Sequence, residues 1–435
     1  MPAANHWGVR ISAEAETAEE SSASEHSRGF SRTFEALRYR DFRFLFFAQL
    51  TNAAAQWMQM IGLPILVLAL TASPVHLAMV MVARTVPAMV LGLVSGVVAD
   101  MWDRRTILIT TRVVGTALAT WFAVVNVLGS VSLVEIYVFA VLRGATMAFD
   151  QAPRRALIPS MVPKHVVVNA MALSTGGMQV MRMLAAAMAG TLIAVGGIHT
   201  AFVALALLYV SGIPFLLLMR TRSHERSGYR GIRQMVVDTK DGLGFAITTP
   251  AMRASLIITA FFFVFGMSFS NVFAPLLAGG PLGLTEGGLG WMVAVMGFGG
   301  TMGTITVAYL SPSHHRGIVL IIALAVFGLL LSGMAGASYL PSAWVAFVVI
   351  FFVGAGQSVF MPLLSTMVLQ AAPDHMRGRA MAILGWDRAL VSFGTAIAGF
   401  AAAAFGPQAA LLGFGGVCVI GALVLFSSGT LRKLD

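Results

Sequence analysis

The chain has 435 residues, 58% of them hydrophobic and only 11% charged, with a mean hydropathy of +0.84. A soluble domain carries about 25% charged and about half apolar residues, so this apolar surplus exceeds what one globular core takes in. The formal net charge of +10 does not point to nucleic acid, because the basic residues sit in short loops between apolar runs and are not gathered in one domain.

Residues 1–40 are polar, with Glu14, Glu16, Glu19, Glu20 and Glu25 among Ser and Ala. They lack an apolar core of signal-peptide type and read as a disordered cytoplasmic tail. Apolar runs follow, each long enough to cross a ~30 Å hydrocarbon layer as a helix. The predicted spans are 44–70, 77–100, 106–129, 132–153, 166–196, 201–219, 254–277, 287–310, 317–336, 341–367, 380–405 and 409–430. Strand-type alternation is absent, and lipid permits only helices or closed barrels. The expected fold is therefore an all-α membrane protein of twelve transmembrane helices. Residues 41–220 form one six-helix half, 221–252 a cytoplasmic linker, and 253–435 a second six-helix half.

Lysine and arginine distribution sets the expected orientation. Inside the spans lie Arg84, Arg112, Arg143, Arg182 and Arg388; all others fall in the N-terminal tail, the C-terminus or the loops after even-numbered spans. The loops after odd-numbered spans carry none, so by the positive-inside rule both termini are cytoplasmic in a bacterial inner membrane. A shift of 210 residues brings Gly144-Ala145 onto Gly354-Ala355. The same shift brings Pro163-Lys164-His165 onto Pro373-Asp374-His375, and Met171-Ala172 onto Met381-Ala382. The halves read as parallel repeats related by an axis along the membrane normal.

The loop after span 2 reads Gly96-Val97-Val98-Ala99-Asp100-Met101-Trp102-Asp103-Arg104-Arg105. This pattern resembles the signature loop of the major facilitator superfamily, with Met101 where the family often has Arg. The resemblance implies a conformational lock made by Gly96, Asp100, Asp103, Arg104 and Arg105, in which Asp100 caps the N-terminus of span 11. A carboxylate there gains from orphan N–H groups and the helix dipole. The stretch from Phe149-Asp150-Gln151-Ala152-Pro153 through Pro163 resembles a narrower subgroup that includes enterobactin exporters and macrolide efflux proteins. So do residues 38–49, Leu70-Thr71-Ala72-Ser73-Pro74 and Arg377-Gly378-Arg379-Ala380-Met381. The resemblance covers about residues 40–430. It implies an exporter of small amphipathic molecules working by alternating access, with protons as the coupling ion.

An arginine in lipid is expensive, so Arg143 must face protein or a water-filled cavity; the family resemblance implies a part for it in proton coupling. Asp387, Asp150 and Glu286 are further proton-coupling candidates, because a buried carboxylate can load and release a proton near neutral pH. Asp150 and Glu286 also read as interfacial, near span ends, and Asp387 as a partner for an arginine on span 2 or 4. Arg182 and Arg388 are candidate cations at a substrate cavity, Arg182 suited to an anionic substrate. Met58, Phe263 and Met267 are candidate apolar lining, although such residues more often pack against neighbouring helices. Related exporters carry Gly-Pro in span 5, where this chain has Ala185-Ala186, so that helix is expected to be straight. Gly299 and Gly303 have a spacing that favours tight helix packing, including against a moving partner.

The nine histidines lie outside the predicted spans, and no H-E-x-x-H, cysteine cluster or Walker loop occurs. An enzyme, a bound metal or cofactor, and ATP drive within the chain are not expected. The expected partners are a small-molecule substrate, protons and the bilayer, with a monomer as the functional unit. A lipid or lysophospholipid transporter, or an importer, of the same fold is the alternative the residues leave open.

Overall fold

The computed structural model describes residues 34–221, 250–285, 287–310, 316–371 and 387–427. Twelve helical rods lie among them. They are α1 (Arg40–Thr71), α2 (Pro74–Met101), α3 (Arg104–Val127), α4 (Leu133–Met161), α5 (Val167–Gly196) and α6 (Ile198–Leu218). The second set runs from α7, described below, through α8 (Gly288–Leu310), α9 (Arg316–Ala337), α10 (Ala343–Ala371), α11 (Asp387–Phe405) and α12 (Pro407–Ser427). No strand occurs among the described residues.

Local chemistry explains several ends. Ser73 caps α2 by accepting from the His76 N–H at 3.4 Å, and Pro74 fills the first turn, where its missing N–H costs nothing. Ser132 and Glu135 form a capping box at the start of α4. Eleven helices are long and apolar enough to cross a membrane by composition; α4 is not among them. It is long enough, at 29 residues, but carries Arg143, Asp150, Arg154 and Arg155 in its body.

Two expectations need correction. The expected tail through residue 40 ends earlier: residues 35–38 form a 3₁₀ turn in which Ala36 is buried and donates its N–H to Asn169 Oδ1 at 3.1 Å. The remainder of that tail, and most of the linker, lies outside the described residues. α4 does not stop at Pro153 but runs to Met161 with Pro153 and Pro159 inside it. An interior proline costs about 3 kcal/mol; the packing of Leu157, Ile158 and Met161 in one cluster with Phe42 and Leu45 of α1 offsets that cost. α7 covers the predicted span 254–277 but is not a regular α-helix throughout. It begins as Pro250–Phe261, passes through π-helical segments Phe262–Gly266 and Phe269–Phe273, and ends as Ala274–Gly279. Wide turns of this kind are rare and shift the facing of everything downstream.

Within the first half α1 packs on α6 and α5, α2 on α4, and α3 on α6; within the second, α8 packs on α10 and α9 on α12. The halves meet along α2–α11 and α5–α8. The repeat has a structural counterpart: Gly144 lies against the Arg84 backbone in α2, and Gly354 against the Met296 backbone in α8. The same glycine thus permits the same close crossing in both halves. Gly299 and Gly303 face Phe351 and Ala355 of α10, so their tight packing is internal to the second half. The glycines of α8 that face the other half are different ones. A Cβ on Gly290 would stand 2.5 Å from Gly190 Cα and 2.6 Å from the Ala186 carbonyl of α5. Large apolar residues such as Leu207, Leu329, Leu423 and Phe400 stay exposed on the outer surface, as lipid-facing positions require.

Candidate functional site

Two arginines of α4 are buried inside the bundle. Arg143 is 6% exposed and Arg154 9% exposed. Around them, α1 contributes Asn52 and Gln59, α3 Arg112, and α6 Tyr209. Arg143 donates to Gln59 Oε1 at 3.4 Å, to Thr146 Oγ1 at 2.8 Å and to the Tyr209 hydroxyl. Its guanidinium carbon stands 4.5 Å from the Tyr209 ring centroid. Arg112 donates to the Ala48 carbonyl at 2.7 Å and lies 5.7 Å from the same ring. Arg84 of α2 donates to Met60 Sδ at 2.8 Å. Asp150 pairs with Arg154 and accepts from Asn52 Nδ2 at 3.0 Å.

Glycines make room for these guanidiniums. A Cβ on Gly115 of α3 would stand 2.9 Å from Arg143 Nη1, and one on Gly212 of α6 would stand 2.8 Å from Arg112 Nη1. Arg84, Arg143, Arg112 and Arg154 feel one another in sequence as like charges, and burying them together is costly without compensation. Because α4 continues to Met161, Asp150 is an interior residue of this cluster and not an interfacial one near a helix end.

A second constellation joins the halves. Arg182 of α5, 8% exposed, donates through Nη2 to Gln357 Oε1 of α10 at 2.9 Å and lies 4.9 Å from the ring centroid of Trp57 in α1. Gln357 in turn donates to Met267 Sδ at 2.9 Å and Ser270 Oγ at 3.4 Å in the π-helical part of α7. Arg182 Nε has no hydrogen-bond partner. α5 runs without an interior proline, as the Ala185-Ala186 sequence predicts.

Arg388 and Asp387 take a different place. Arg388 donates to Gln151 of α4, a contact between the halves at the end of the bundle where α1 begins. Asp387 accepts from the Arg388 N–H at 2.7 Å and feels the charge of Arg155. Arg388 therefore ties the halves together there, in place of the cavity position the sequence suggests. Met58 and Phe263 are 1% and 2% exposed and packed in the core, so no open space reaches them in this conformer. Met267 is half-buried against Gln357.

The loop after α2 is tied within its own half. Asp103 caps α3 by accepting from the Thr106 N–H at 3.3 Å and the Thr106 hydroxyl at 2.9 Å. Arg104 donates to the Ala156 carbonyl at 3.3 Å, and Arg105 to the Leu216 and Leu217 carbonyls at 3.4 and 2.9 Å. Gly96 and Asp100 lie in the last two turns of α2. The expected cap of Asp100 on span 11 lies outside the described residues, as does Glu286. Among the described residues no group of His, Cys, Asp and Glu could hold a metal.

Sequence reading gave no role to Asn52, Gln59, Tyr209, Arg154, Trp57 or Gln357. One signal was present: Asn52, Gln56 and Gln59 recur every three to four residues in an otherwise apolar run, marking one buried face of α1.

Two six-helix halves meeting along α2–α11 and α5–α8, with buried arginines at and beside their junction, define a transporter of the major facilitator superfamily. A family profile described as transmembrane secretion effector matches residues 31–435, and the chain belongs to that family. The multidrug efflux pump Tap of Mycolicibacterium fortuitum is 25% identical over 400 residues, covering 90% of this chain and 96% of that one. The staphyloferrin A transporter of Staphylococcus aureus is 22% identical over 375 residues, covering 83% and 90%. Among solved structures, the nucleoside transporter NupG superposes with a TM-score of 0.73 at 12% identity, covering 89% of this chain and 99% of that one. A bacterial homologue of the human lysosomal transporter Spinster, inward-facing and unoccupied, gives 0.72 at 14% identity, covering 91% and 98%. The chain is a multi-pass membrane transporter and not an enzyme.

Proposed function

We propose that the protein exports small amphipathic molecules bearing an anionic group, by rocking of its two halves, in exchange for protons. Both termini lie in the cytoplasm of a bacterium in this reading, and one chain is the working unit. The observation that carries it is the Arg182 bridge. A buried guanidinium on one half, with one nitrogen unpartnered and a neutral Gln357 across the junction, leaves a charge for a substrate anion to satisfy. Trp57 beside it offers an aromatic face to the apolar part of such a molecule. Efflux as the direction rests on the efflux-pump relative. Asp150, held between Arg154 and Asn52, and Asp387, near Arg388 and Arg155, are the carboxylates assigned to proton loading, with Arg143 setting the field around Asp150.

The test is efflux from cells with and without the gene, using anionic, neutral and cationic amphiphiles, before and after collapse of the proton gradient. Gradient-dependent loss of the anionic compound, weakened more in Arg182→Ala than loss of the others, is the expected result. Equal losses across all charges assign Arg182 a structural role. Accumulation in place of efflux favours import.

A further inference from the structure

Tyr209 of α6 carries no role in the export reading, yet it touches two arginines of the first half. It is 1% exposed, and its ring centroid lies 4.5 Å from the guanidinium carbon of Arg143 and 5.7 Å from that of Arg112. The phenol oxygen accepts from Arg143 Nη2. Its own hydrogen remains to be donated, and a buried O–H needs an acceptor. The charged groups around it among the described residues are Arg84, Arg112, Arg143 and Arg154, which only donate, and the Asp150 carboxylate.

Asp150 and Tyr209 line the same small space. A cavity of ≈ 10 Å³, the lower limit for a single water, has Asp150, Tyr209, Arg112, Arg143, Asn52 and Gln56 among its walls. Asp150 already accepts from Asn52 and pairs with Arg154. An ionised carboxylate has about four lone-pair sites, so it has room for a further donor. Tyr209 and Asp150 are thus complementary, one with an O–H to place and the other with lone pairs to fill. Walls this polar supply the two to four partners that hold a buried water.

We propose that Tyr209 is a positioning residue that couples Asp150 to Arg143 through one water in this cavity. With Asp150 ionised, the hydrogen bonds run one way: from Arg143 to the Tyr209 oxygen, from the Tyr209 O–H to the water, and from the water to the carboxylate. When Asp150 takes a proton, its new O–H donates to the water. The water then turns to donate to the phenol oxygen, where it competes with Arg143 Nη2. The proton stays on Asp150, Tyr209 keeps its own, and no other covalent bond changes. Arg143 also donates to Gln59 of α1, the helix whose Trp57 lies against Arg182, so proton loading reaches the junction of the halves through Arg143. The inference rests on the reading of Asp150 as a proton-loading carboxylate.

The experiment is infrared difference spectroscopy between high and low pH on the purified full-length protein in lipid, which needs no transport substrate. Expected is a protonated-carboxyl band, absent in Asp150→Asn, that rises on acidification together with changes in a tyrosine band and in a water band that moves in heavy-oxygen water. Tyr209→Phe keeps the ring beside both guanidiniums and removes only the O–H. It should lose the tyrosine and water changes and shift the carboxyl band to higher frequency, as weaker hydrogen bonding to a carboxyl does. An Asp150 band that stays unmoved in Tyr209→Phe overturns the relay and leaves the proton-loading reading standing. Absence of any Asp150 band in the wild type overturns both. Should Tyr209→Phe fail to fold, wild-type protein with ring-labelled tyrosine decides: a band that moves with the label and follows the Asp150 band supports the relay, and none refutes it.

Discussion

Gln357→Leu removes the neutral partner of Arg182 while keeping side-chain volume, and so isolates the polar bridge between the halves. In the present conformer it deletes the 2.9 Å bond to Arg182 Nη2 and leaves both that nitrogen and Nε without partners. A hydrogen bond to a charged group contributes ~1.5–3 kcal/mol. Stacking on Trp57 is untouched, which keeps the loss in the lower part of that range. The bond crosses from α5 to α10, so any rocking that separates those helices breaks it. A loss of ~2 kcal/mol in this conformer alone shifts the balance between conformers by roughly 30-fold, at about 1.4 kcal/mol per tenfold. The chain has a single cysteine, Cys418, which is buried and replaceable by Ala. Spin labels at Leu128→Cys and Tyr339→Cys, one on an exposed turn of each half, report the separation by pulsed dipolar spectroscopy. Expected is a second distance population in Gln357→Leu that is minor or absent in the parent. A distance distribution identical in both proteins refutes the claim that this bridge weighs on the conformational balance.

Two further outcomes follow from the same contacts. Asp150→Asn should insert normally but lose gradient-driven transport, and it should lower the thermal midpoint, because leaving Arg154 without its carboxylate costs ~3–5 kcal/mol. Adding Arg154→Gln should recover the midpoint but not transport, and recovery of both would reduce Asp150 to a structural partner. Gly290→Val places methyl groups against the backbone of Gly190 and Ala186, where no flexible side chain can yield. It should cost ~1–3 kcal/mol and show as a lower unfolding temperature in detergent; an unchanged midpoint would show that α5 and α8 separate freely.

The bundle was legible in the sequence because its governing constraint is simple: twelve apolar runs must bury their own backbone groups in lipid. Boundaries failed where a different rule won. Pro153 reads as a stop, yet the packing of Leu157 and Ile158 with Phe42 carries α4 onward. The π-helical segments of α7 leave no mark in an unbroken apolar run such as Phe261-Phe262-Phe263-Val264-Phe265. Arg143 and Arg182 stood out as site residues because a charge inside a span is conspicuous. Gln357 and Tyr209 did not, since a lone amide or phenol in an apolar helix has many roles, and only the fold brings each to its guanidinium. Arg388 shows the reverse limit: its charge was conspicuous, but its partner Gln151 lies in the other half, 237 residues away.

The repeat offset exposes a division of labour between the halves. At 210 residues beyond Arg112, Arg143, Asp150 and Arg154 stand Ile322, Val353, Phe360 and Leu364. The hydrogen-bonded pair Asn52 and Asp150 corresponds to Phe262 and Phe360, whose rings stack at 3.9 Å and 2°. Two copies of one helical frame thus fill the same α1–α4 and α7–α10 junction in opposite ways, one with a polar pair inside a cationic cluster, the other with an aromatic stack. The stack needs no ion and no proton, so its contribution is packing alone; Phe360→Ala should cost ~3–5 kcal/mol in stability. The surviving folded fraction should keep its dependence on the proton gradient. Asn52→Leu should do the opposite, with a smaller stability loss and an altered gradient dependence, because it strips the carboxylate of one of its two partners. Both variants are read by thermal unfolding and by efflux at a series of imposed gradients. If Phe360→Ala changed the gradient dependence as much as Asn52→Leu, the chemistry of this junction would be shared between the halves, and the assignment of the polar role to the α1–α4 junction over its α7–α10 counterpart would fail.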